Sequence, residues 1–261
     1  MKDSNDGSAL SPERELADAA DLRASLDSLA SLVNNAFKLD ELLTRVATYA
    51  ALAIPGADGA GVTLLALDRG DNIVEALAAS DEFVSDIDHI QYRVVHEGPC
   101  ITAALERRTV RSGSLGGEQR WPRFGPRVGR LGVHSVLSLP LLLPDTVVGA
   151  INVYAHGKDV FDDHATELGE LFAGPAAVSV HNAQLLTQAL ALTQQLQTAL
   201  ASRPVIDQAV GLLRGRTGLS ADDAFDRLRE ISQRENVKVV TVAQRTVDEA
   251  VRRAHARRLQ S

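Results

Sequence analysis

The chain has 261 residues, of which 45% are hydrophobic and 23% charged, and its formal net charge at pH 7 is −7. This composition is typical of a globular protein and excludes the fibrous and disordered classes, while the length suits two domains of ordinary size. No apolar run reaches the roughly 20 residues of a membrane helix, and the N-terminus is polar and acidic. We therefore expect a cytoplasmic protein without membrane partners.

Charged residues are distributed unevenly along the chain. Residues 201–261 contain 12 Lys and Arg against 8 Asp and Glu, whereas residues 1–200 contain 15 against 26. An acidic segment repels nucleic acid and a basic segment attracts it. The charge distribution therefore favours nucleic-acid binding at the C-terminal end of the chain only.

The N-terminal third predicts a short tail, two helices and a strand pair. Residues 1–10 lack an apolar period and are expected to form a disordered tail. Ser11, Pro12 and Glu13 are typical of a helix start, and a second helix is expected from about Asp40. "GVTLLAL" and "NIVEALAA" follow as two strands around the turn "DRGD". The apolar stripe of the first helix consists of Leu22, Leu26, Leu29 and Val33.

The middle of the chain predicts a second strand pair and a return to helix. "HEGPCITAALERR" indicates the start of a short helix, and residues 111–132, rich in glycine, proline and arginine, are expected to form a loop. "SVLSLPLLL" and "VVGAINVYA" are typical of strands, and helix is expected again from about Phe161. Helices that alternate with strand pairs predict an α+β fold with a mostly antiparallel sheet flanked by helices.

Residues 181–202 predict a continuous helix with a narrow apolar seam. Such a seam suits pairing with another helix better than burial in a large core. We therefore expect a coiled-coil stem that joins two modules and makes the protein a homodimer. The seam repeats every three or four residues and consists of Leu185, Ala189, Leu192, Leu196 and Ala199.

The C-terminal segment predicts three short helices. The first ends at Gly218, which is suited to a left-handed cap. Ser220 and Asp223 form a capping box for the second helix, and Thr241 with Gln244 is expected to open the third. The side chains of the second helix that are expected to face inward are Phe225, Leu228 and Ile231.

The same segment carries an ordered set of motif positions. It matches the pattern R-x-x-I-x-x-A-x-G, then G-x-S-x-x-x-A-F, then L-R-x-x-S and N-x-K. The matching positions are Arg203, Ile206, Ala209, Gly211, Gly218, Ser220, Ala224, Phe225, Leu228, Arg229, Ser232, Asn236 and Lys238. With this pattern the segment resembles an ANTAR domain, an RNA-binding antitermination module. The resemblance implies that a dimer holds paired hexanucleotide-loop hairpins in a nascent transcript, so that no terminator forms.

Residues 38–175 resemble a GAF sensor domain. The matching stretches are "LDELLTRVATYALAIPGADGAGVTLL", "HEGPC", "RWPRFGPRVGRLGVHSVLSLPLLL" and "VVGAINVYA". GAF domains hold cyclic nucleotides, haem, bilins, small metabolites or nothing, so the resemblance implies a small-molecule partner and leaves the cofactor unknown. We expect a GAF domain over residues 11–180, the stem over 181–202 and an ANTAR domain over 203–261, as in actinobacterial GAF-ANTAR regulators.

The resemblance implies an RNA-binding surface on the polar faces of the C-terminal helices. Arg, Asn and Gln bond to base edges and phosphates, although arginines on a helix face often only add solubility. The family frequently has Lys where this chain has Val210, and Arg where it has Val240. Gly211, in mid-helix, allows either close helix packing or direct approach of RNA to the backbone. The candidate RNA-binding residues are Arg203, Gln208, Arg214, Arg216, Asn236, Lys238 and Arg245.

Three residues are candidates for a ligand pocket in the sensor. His96 and Cys100 lie four apart in "HEGPC", and Trp121 lies in the long loop as either an anchor or a lid. Cys100 is the only cysteine and is expected to be a buried thiol. The seven histidines have no metal-ligand spacing, and we identify no catalytic or metal-binding set, so we expect no enzymatic activity.

Two hypotheses from different classes follow. The first is a signal-responsive, homodimeric RNA-binding regulator that promotes transcription antitermination. The alternative is a ligand-controlled dimerisation or protein-interaction module with a degenerate ANTAR unit, which the valines at 210 and 240 favour.

Overall fold

The fold is that of a computed structural model, which describes residues 11–32, 37–66 and 73–259. The tail predicted for residues 1–10, the stripe residue Val33 and the turn "DRGD" lie outside the described residues. The chain divides into two units, Met1–Thr187 and Gln188–Ser261.

Two N-terminal helices begin close to where the sequence predicts. Helix α1 spans Pro12–Leu32 and helix α2 spans Leu39–Ala53. The Ser11 hydroxyl accepts the backbone N–H of the residue three positions on (3.3 Å), as expected of an N-cap. Leu22 and Leu29 of the predicted stripe are buried, so this face of α1 belongs to the core.

Five strands of the described chain form an antiparallel sheet in the order β2-β1-β5-β4-β3. The strands are β1 (Gly59–Ala66), β2 (Ile73–Ala79), β3 (Val110–Ser112), β4 (Ser135–Leu142) and β5 (Val147–Ala155). Both predicted strand pairs are present, and β3 adds a short edge strand. The sheet and its flanking helices confirm the predicted α+β class.

Both faces of the sheet are covered. Alternate residues of a strand point to opposite faces, so Val62 and Leu64 of β1 face one side while Gly61 and Thr63 face the other. The first face packs in the main apolar core with α1, α2 and the start of a long helix, α6. The helices on the second face are α3 (Glu82–His89), a π-helix (Ile90–Val95) and α4 (Pro99–Glu106), and α6 spans Asp163–Thr217.

The segment 111–132 is not the continuous loop that its composition predicts. It contains most of β3, a 3₁₀ turn at Leu115–Gly117 and helix α5 (Gly125–Arg130). Trp121 and Phe124 are buried in a second apolar cluster below this segment. The buried Trp121, Phe124 and Val128 have helical spacing, but the glycines and prolines of the segment favour a loop when composition alone is considered.

Helix α6 covers the segments that the sequence divides between sensor, stem and first C-terminal helix. Pro175 and Pro204 lie inside it, and the helix continues past both, although each proline lacks the N–H of one backbone hydrogen bond. The boundary between the two units, after Thr187, falls within this helix. The domain limits at residues 180 and 202 remain a prediction.

The C-terminal unit contains helices α7 (Ala221–Glu235) and α8 (Val239–Arg258) after the end of α6. Gly218 and Asn236 adopt left-handed conformations (φ 71° and 52°) and end α6 and α7, and the cap at Gly218 is the one that the sequence predicts. The Ser220 hydroxyl accepts the N–H of Asp223 (3.1 Å), which confirms the predicted cap. The buried residues of this small core are Ala209, Leu228, Val242 and Ala243.

Two expectations for this unit are wrong. Phe225 is 38% exposed, because the inward face of α7 is formed by Ala224 and Leu228 instead. Helix α8 begins after Lys238, not at Thr241, and no side-chain hydrogen bond caps it. Val239 packs against the small core, and this apolar contact accounts for the earlier start.

The two predicted caps provide a matched test of the C-terminal fold. Ser220→Ala removes a side-chain cap and is expected to lower the free energy of unfolding by about 1 kcal/mol. Thr241 is the third residue of α8 and its hydroxyl caps no helix end, so Thr241→Ala is expected to lower the free energy of unfolding clearly less. Urea unfolding followed by circular dichroism measures both, and equal losses would contradict the assignment of the caps.

Candidate functional site

A row of polar residues crosses the second face of the sheet. The antiparallel register places Gly61 of β1 beside Asn152 of β5, and Asn152 beside Ser138 of β4. The Ser138 hydroxyl donates a hydrogen bond to the side-chain oxygen of Asn152. Both side chains are fully buried, so the centre of this face is polar although the rest of it is packed as a core.

The helices above this face add further polar side chains. Asp88 lies in the last turn of α3, directly over Gly61, where an added Cβ would be 3.1 Å from the Asp88 Oδ2. Tyr92, on the π-helix, donates its hydroxyl hydrogen to the Thr63 Oγ1 (3.0 Å). Gln91 accepts the backbone N–H of Cys100 at the start of α4 (3.4 Å). Two layers of the fold thus bring their polar groups together.

Several of these buried groups have no hydrogen-bond partner. Both carboxyl oxygens of Asp88, the amide nitrogens of Gln91 and Asn152, and the hydroxyl of Tyr154 account for five of the six such atoms in the described residues. An unsatisfied buried polar group costs about 1–3 kcal/mol, and native proteins contain few of them. We call Asp88, Gln91, Asn152 and Tyr154 the polar cluster, and the Cys100 thiol lies beside its Asn152.

Burial controls the protonation of this region. Desolvation raises the pKa of Asp88 to about 8, so that the carboxyl group is largely protonated at neutral pH. Desolvation also raises the pKa of Cys100 to about 11 and those of Tyr92 and Tyr154 well above their usual values. The thiol of Cys100 is therefore protonated and a poor nucleophile, which agrees with the buried thiol expected from the sequence.

The three predicted pocket residues lie in different surroundings. Cys100 is fully buried next to Tyr92, whereas His96 is exposed in a left-handed conformation (φ 54°) at the end of the π-helix. Trp121 is buried, and its indole N–H donates to the Thr102 hydroxyl (2.9 Å). The structure brings Cys100 to the polar cluster and does not bring His96 there, and Trp121 has the geometry of the anchor.

Glu97 connects the "HEGPC" segment to the segment around Trp121 through hydrogen bonds and an ion pair. Its carboxylate accepts the backbone N–H groups of Arg123 (2.5 Å) and Phe124 (2.9 Å) and pairs with the Arg123 guanidinium (3.1 Å). These hydrogen bonds lower the pKa of Glu97 against the opposing effect of desolvation. The pocket role of His96 and Trp121 remains a prediction.

All seven candidate RNA-binding side chains of the C-terminal unit are exposed. Asn236 ends α7, and Lys238 starts α8 two residues later. Arg245 pairs with Glu235 (2.5 Å), which places its guanidinium beside this turn. The structure thus brings together the last three candidates, whereas Arg203, Gln208, Arg214 and Arg216 lie along α6.

Gly211 is also exposed, together with Gly215 one turn further along α6. A Cβ at either position would meet no atom within 4 Å, so close packing inside the chain does not explain the glycines. Val210 is partly buried against the small core and lines an open apolar groove with Ile206 and Phe225. The groove has a volume of about 380 Å³.

Family models match both units. The model described as GAF domain matches residues 38–181, more than half of the chain, and the model described as ANTAR domain matches residues 194–247. The chain belongs to the GAF domain family. Its GAF domain is followed by an ANTAR domain, which is the architecture of a GAF-ANTAR regulator.

Solved structures resemble the GAF domain in fold. The GAF domain of a phosphoenolpyruvate-protein phosphotransferase from Coxiella burnetii is 15% identical with a TM-score of 0.51, covering 65% of this chain and 98% of that one. The corresponding domain from Acinetobacter is 14% identical (TM-score 0.47; 67% and 97% covered). A type II free methionine-R-sulfoxide reductase from Thermoplasma acidophilum is 19% identical (TM-score 0.43; 55% and 93% covered). At these identities the likeness concerns the fold alone.

A search of curated proteins finds no match to this chain. In the described ranges, no helix combines the length and the apolar character that crossing a membrane requires.

Sequence reasoning missed all four residues of the polar cluster. The available signal was weak, because Asn152 is a single amide in the apolar strand "VVGAINVYA" and Asp88 looks like an ordinary helix residue. Only the strand register and the packing of α3 over Gly61 show that these side chains converge.

The raised pKa of Asp88 predicts a pH effect on stability. The unfolded chain releases this proton near pH 4 and the folded protein near pH 8, so the stability contributed by the bound proton declines as pH rises between these values. Asp88→Asn, which imitates the protonated acid, is therefore expected to gain stability relative to the wild type, by up to about tenfold in the unfolding equilibrium per pH unit.

Urea unfolding between pH 5 and 7.5 measures this difference. Tyr92, Cys100 and Tyr154, which interact electrostatically with Asp88, stay neutral over this range and are common to both proteins. Asp86→Asn, on the exposed side of the same helix, is the control and should show no such trend. A pH-independent difference between Asp88→Asn and the wild type would contradict the raised pKa.

Proposed function

We propose that this protein is a signal-responsive RNA-binding regulator that promotes transcription antitermination by binding paired hairpins in nascent RNA. The observation that carries the proposal is the ANTAR domain at residues 194–247, which overlaps the segment 201–261 with its 12 Lys and Arg against 8 Asp and Glu. The exposed basic and amide side chains of this domain supply the chemistry that RNA loops require.

The proposed RNA surface combines phosphate contacts with base contacts. Arg214, Arg216 and Lys238 are exposed cations suited to phosphates, and Asn236 offers an amide to a base edge. Arg245 and Arg203 already pair with carboxylates of their own unit. Exposed ion pairs are worth at most about 1 kcal/mol, so RNA phosphates can replace these partners at little cost.

The regulator acts without making or breaking a bond. Protein that holds two hairpins shifts the folding equilibrium of the transcript away from the terminator. A ligand of the GAF domain controls this activity only to the extent that it binds the active arrangement better than the inactive one.

Homodimerisation through α6 is the third part of the proposal. The predicted seam residues Leu185, Leu192 and Leu196 are about half exposed. A partner helix that packs against them would remove this apolar surface from water. Two ANTAR domains would then be available to two hairpins.

A protein-interaction module is the second candidate function. The groove favours it, because Val210 adds apolar surface beside Ile206 and Phe225, while the charged Arg203 and Asp207 also line the groove. In this alternative the groove docks a protein and the basic residues only add solubility.

The RNA surface predicts how salt affects binding. Replacing Arg214 and Lys238 by Ala should weaken binding of a two-hairpin RNA and reduce the slope of log K against log salt by about 0.7 per lost contact. Asn236→Ala should weaken binding with little change of slope. Filter binding at several salt concentrations measures both quantities.

The control for this experiment removes two positive charges from outside the proposed surface. Arg227 and Arg253 are exposed and paired within their own helices, with Glu230 (3.0 Å) and Glu249. Their double replacement by Ala should leave the slope nearly unchanged. Equal effects of the two double variants would show that only net charge matters, and would contradict the proposed surface.

Substitutions in the proposed dimer interface should change the molecular mass of the protein in solution. Lys at both Leu192 and Leu196 places four charges in a paired seam and should produce monomers in sedimentation experiments. Lys at both Thr187 and Gln194, which are exposed and lie on the helix face opposite the seam, adds the same charge and should leave the dimer intact. A dimer that survives the first substitution has its main interface elsewhere.

A Gly211→Ala variant distinguishes a role of this glycine in contacts with RNA or a partner helix from its effect on helix stability. Gly211→Ala should raise the free energy of unfolding by up to about 1 kcal/mol, because the added methyl group meets no atom of the chain. If RNA or a partner helix approaches the backbone here, the same variant loses RNA affinity or dimerisation despite its greater stability. A more stable variant whose RNA affinity and dimeric mass are unchanged would exclude contact of the Gly211 backbone with RNA and with a partner helix.

A further inference from the structure

The exposed face of α6 continues the predicted seam toward the N-terminal end of the helix. Upstream of Leu185, seam positions recur at alternating steps of three and four residues and carry Asn182, Val178, Pro175 and Leu171. This period of 3.5 residues is that of a coiled coil, and it begins within the part of α6 that belongs to the GAF domain. The extended seam consists of Leu171, Pro175, Val178, Asn182, Leu185, Ala189, Leu192 and Leu196, all of which are exposed.

The opposite face of this part of α6 is buried. The main apolar core contains Phe172, Ala173, Ala176, Ala177 and Val180. The core thereby fixes which side of the helix points outward, and Leu171, Val178 and Leu185 on that side are about half exposed. A continuous apolar row on a surface marks an interaction site.

The helix around the extended seam is almost free of charge. Residues 171–202 contain no Asp, Glu, Lys or Arg, although a solvated helix face usually carries charges that pair along the helix. In coiled coils, charges beside the seam select the partner. Two identical helices of this kind approach each other without repulsion between like-charged Asp, Glu, Lys or Arg side chains, so the flanks of the seam favour a second copy of this chain.

Asn182 is the only polar residue of the extended seam. In heptad notation it occupies an a position, as do Pro175 and Ala189 one heptad to either side, whereas Val178 and Leu185 occupy d positions. A single Asn at an a position specifies the register and oligomeric state of a coiled coil at a cost in stability. An amide has both a donor and an acceptor, so it is satisfied opposite a second amide and unsatisfied opposite an apolar side chain.

We propose that the extended seam pairs with that of a second copy as a parallel, in-register coiled coil, in which Asn182 sets the orientation and the register. In this arrangement each a residue faces its own copy, and the two Asn182 amides bond to each other. In an antiparallel pair an a residue faces a d residue, and after a shift of one heptad Asn182 faces Pro175 or Ala189, so its amide stays unpaired in both cases. The inference rests on the homodimerisation proposed above and specifies its geometry.

The orientation of the two helices matters for RNA binding. Parallel helices carry both ANTAR domains at the same end of the coiled coil, whereas antiparallel helices carry them at opposite ends. A register shift of one heptad would displace one copy by about 10 Å along the helix axis. Asn182 would therefore keep two hairpin-binding surfaces at the same height along the coiled coil.

Cysteine cross-linking of the full-length protein tests the orientation. Cys100 is the only native cysteine and is buried, so each newly introduced cysteine reports on its own position. Val178→Cys and Leu192→Cys, each made alone, should both give a disulfide-linked dimer on mild oxidation, because each residue faces its own copy at disulfide distance. An antiparallel pair brings at most one of these two positions opposite itself. Thr187→Cys, on the opposite face of the helix, is the control and should give no cross-link.

A matched pair of leucine substitutions tests the role of Asn182. Asn182→Leu removes the polar residue, whereas Ala189→Leu introduces the same side chain at the next a position and retains Asn182. Both should lower the dissociation constant of the dimer by about tenfold or more, because both add apolar surface to the paired seam. Only Asn182→Leu, combined with each cysteine, should lower the cross-linking yield or give species heavier than a dimer in sedimentation experiments.

The proposal is overturned if a dimeric wild-type background cross-links at only one of the two positions or at neither. It is also overturned if Asn182→Leu leaves both cross-links and the mass unchanged. Sedimentation of the wild type distinguishes these outcomes from failure of the proposed homodimer, because a monomeric wild type removes both proposals, whereas a dimer without the two cross-links removes only the parallel register. No RNA is present, so the result is independent of RNA binding.

Discussion

The antiparallel register of β1, β5 and β4 is the constraint on which the sensor depends. It places Gly61, Asn152 and Ser138 in one row, and the missing side chain of Gly61 lets Asp88 approach the sheet from above. A slip of one residue would turn the polar row into the main apolar core and the apolar side chains toward α3 and α4. The main core on that opposite face, with α1 and α2, therefore holds the register and supplies the stability that the unpaired polar groups reduce.

The ANTAR domain differs from the sensor in having a small core and an exposed charged surface. Its buried residues are few and mostly small, namely Ala209, Ala224, Leu228, Val242 and Ala243, and its basic side chains are exposed. Caps at Ser220, Gly218 and Asn236 fix the turns between helices and thereby place the basic side chains. A small core with exposed charges suits recognition of a large charged partner, and the GAF domain suits enclosure of a small one.

The sequence was sufficient for the features that depend on local chemistry. Helix starts at Ser11 and Ser220, the left-handed caps and the strand pairs each have a short signal, and the ANTAR and GAF motifs identify both domains. The polar cluster could not be predicted from the sequence, because strands and helices that are distant along the chain form it. Likewise, the exposure of Phe225 follows from tertiary packing, which overrides residue type and local period.

The central claim is that the C-terminal domain recognises RNA by structure and not by charge alone. The most direct measurement is the affinity of the full-length protein, at one low salt concentration, for a two-hairpin RNA and for a scrambled RNA of equal length and composition. A regulator of this kind should bind the paired hairpins clearly more tightly, with one dimer per RNA. Equal affinity for the two RNAs would contradict it and favour the protein-interaction module.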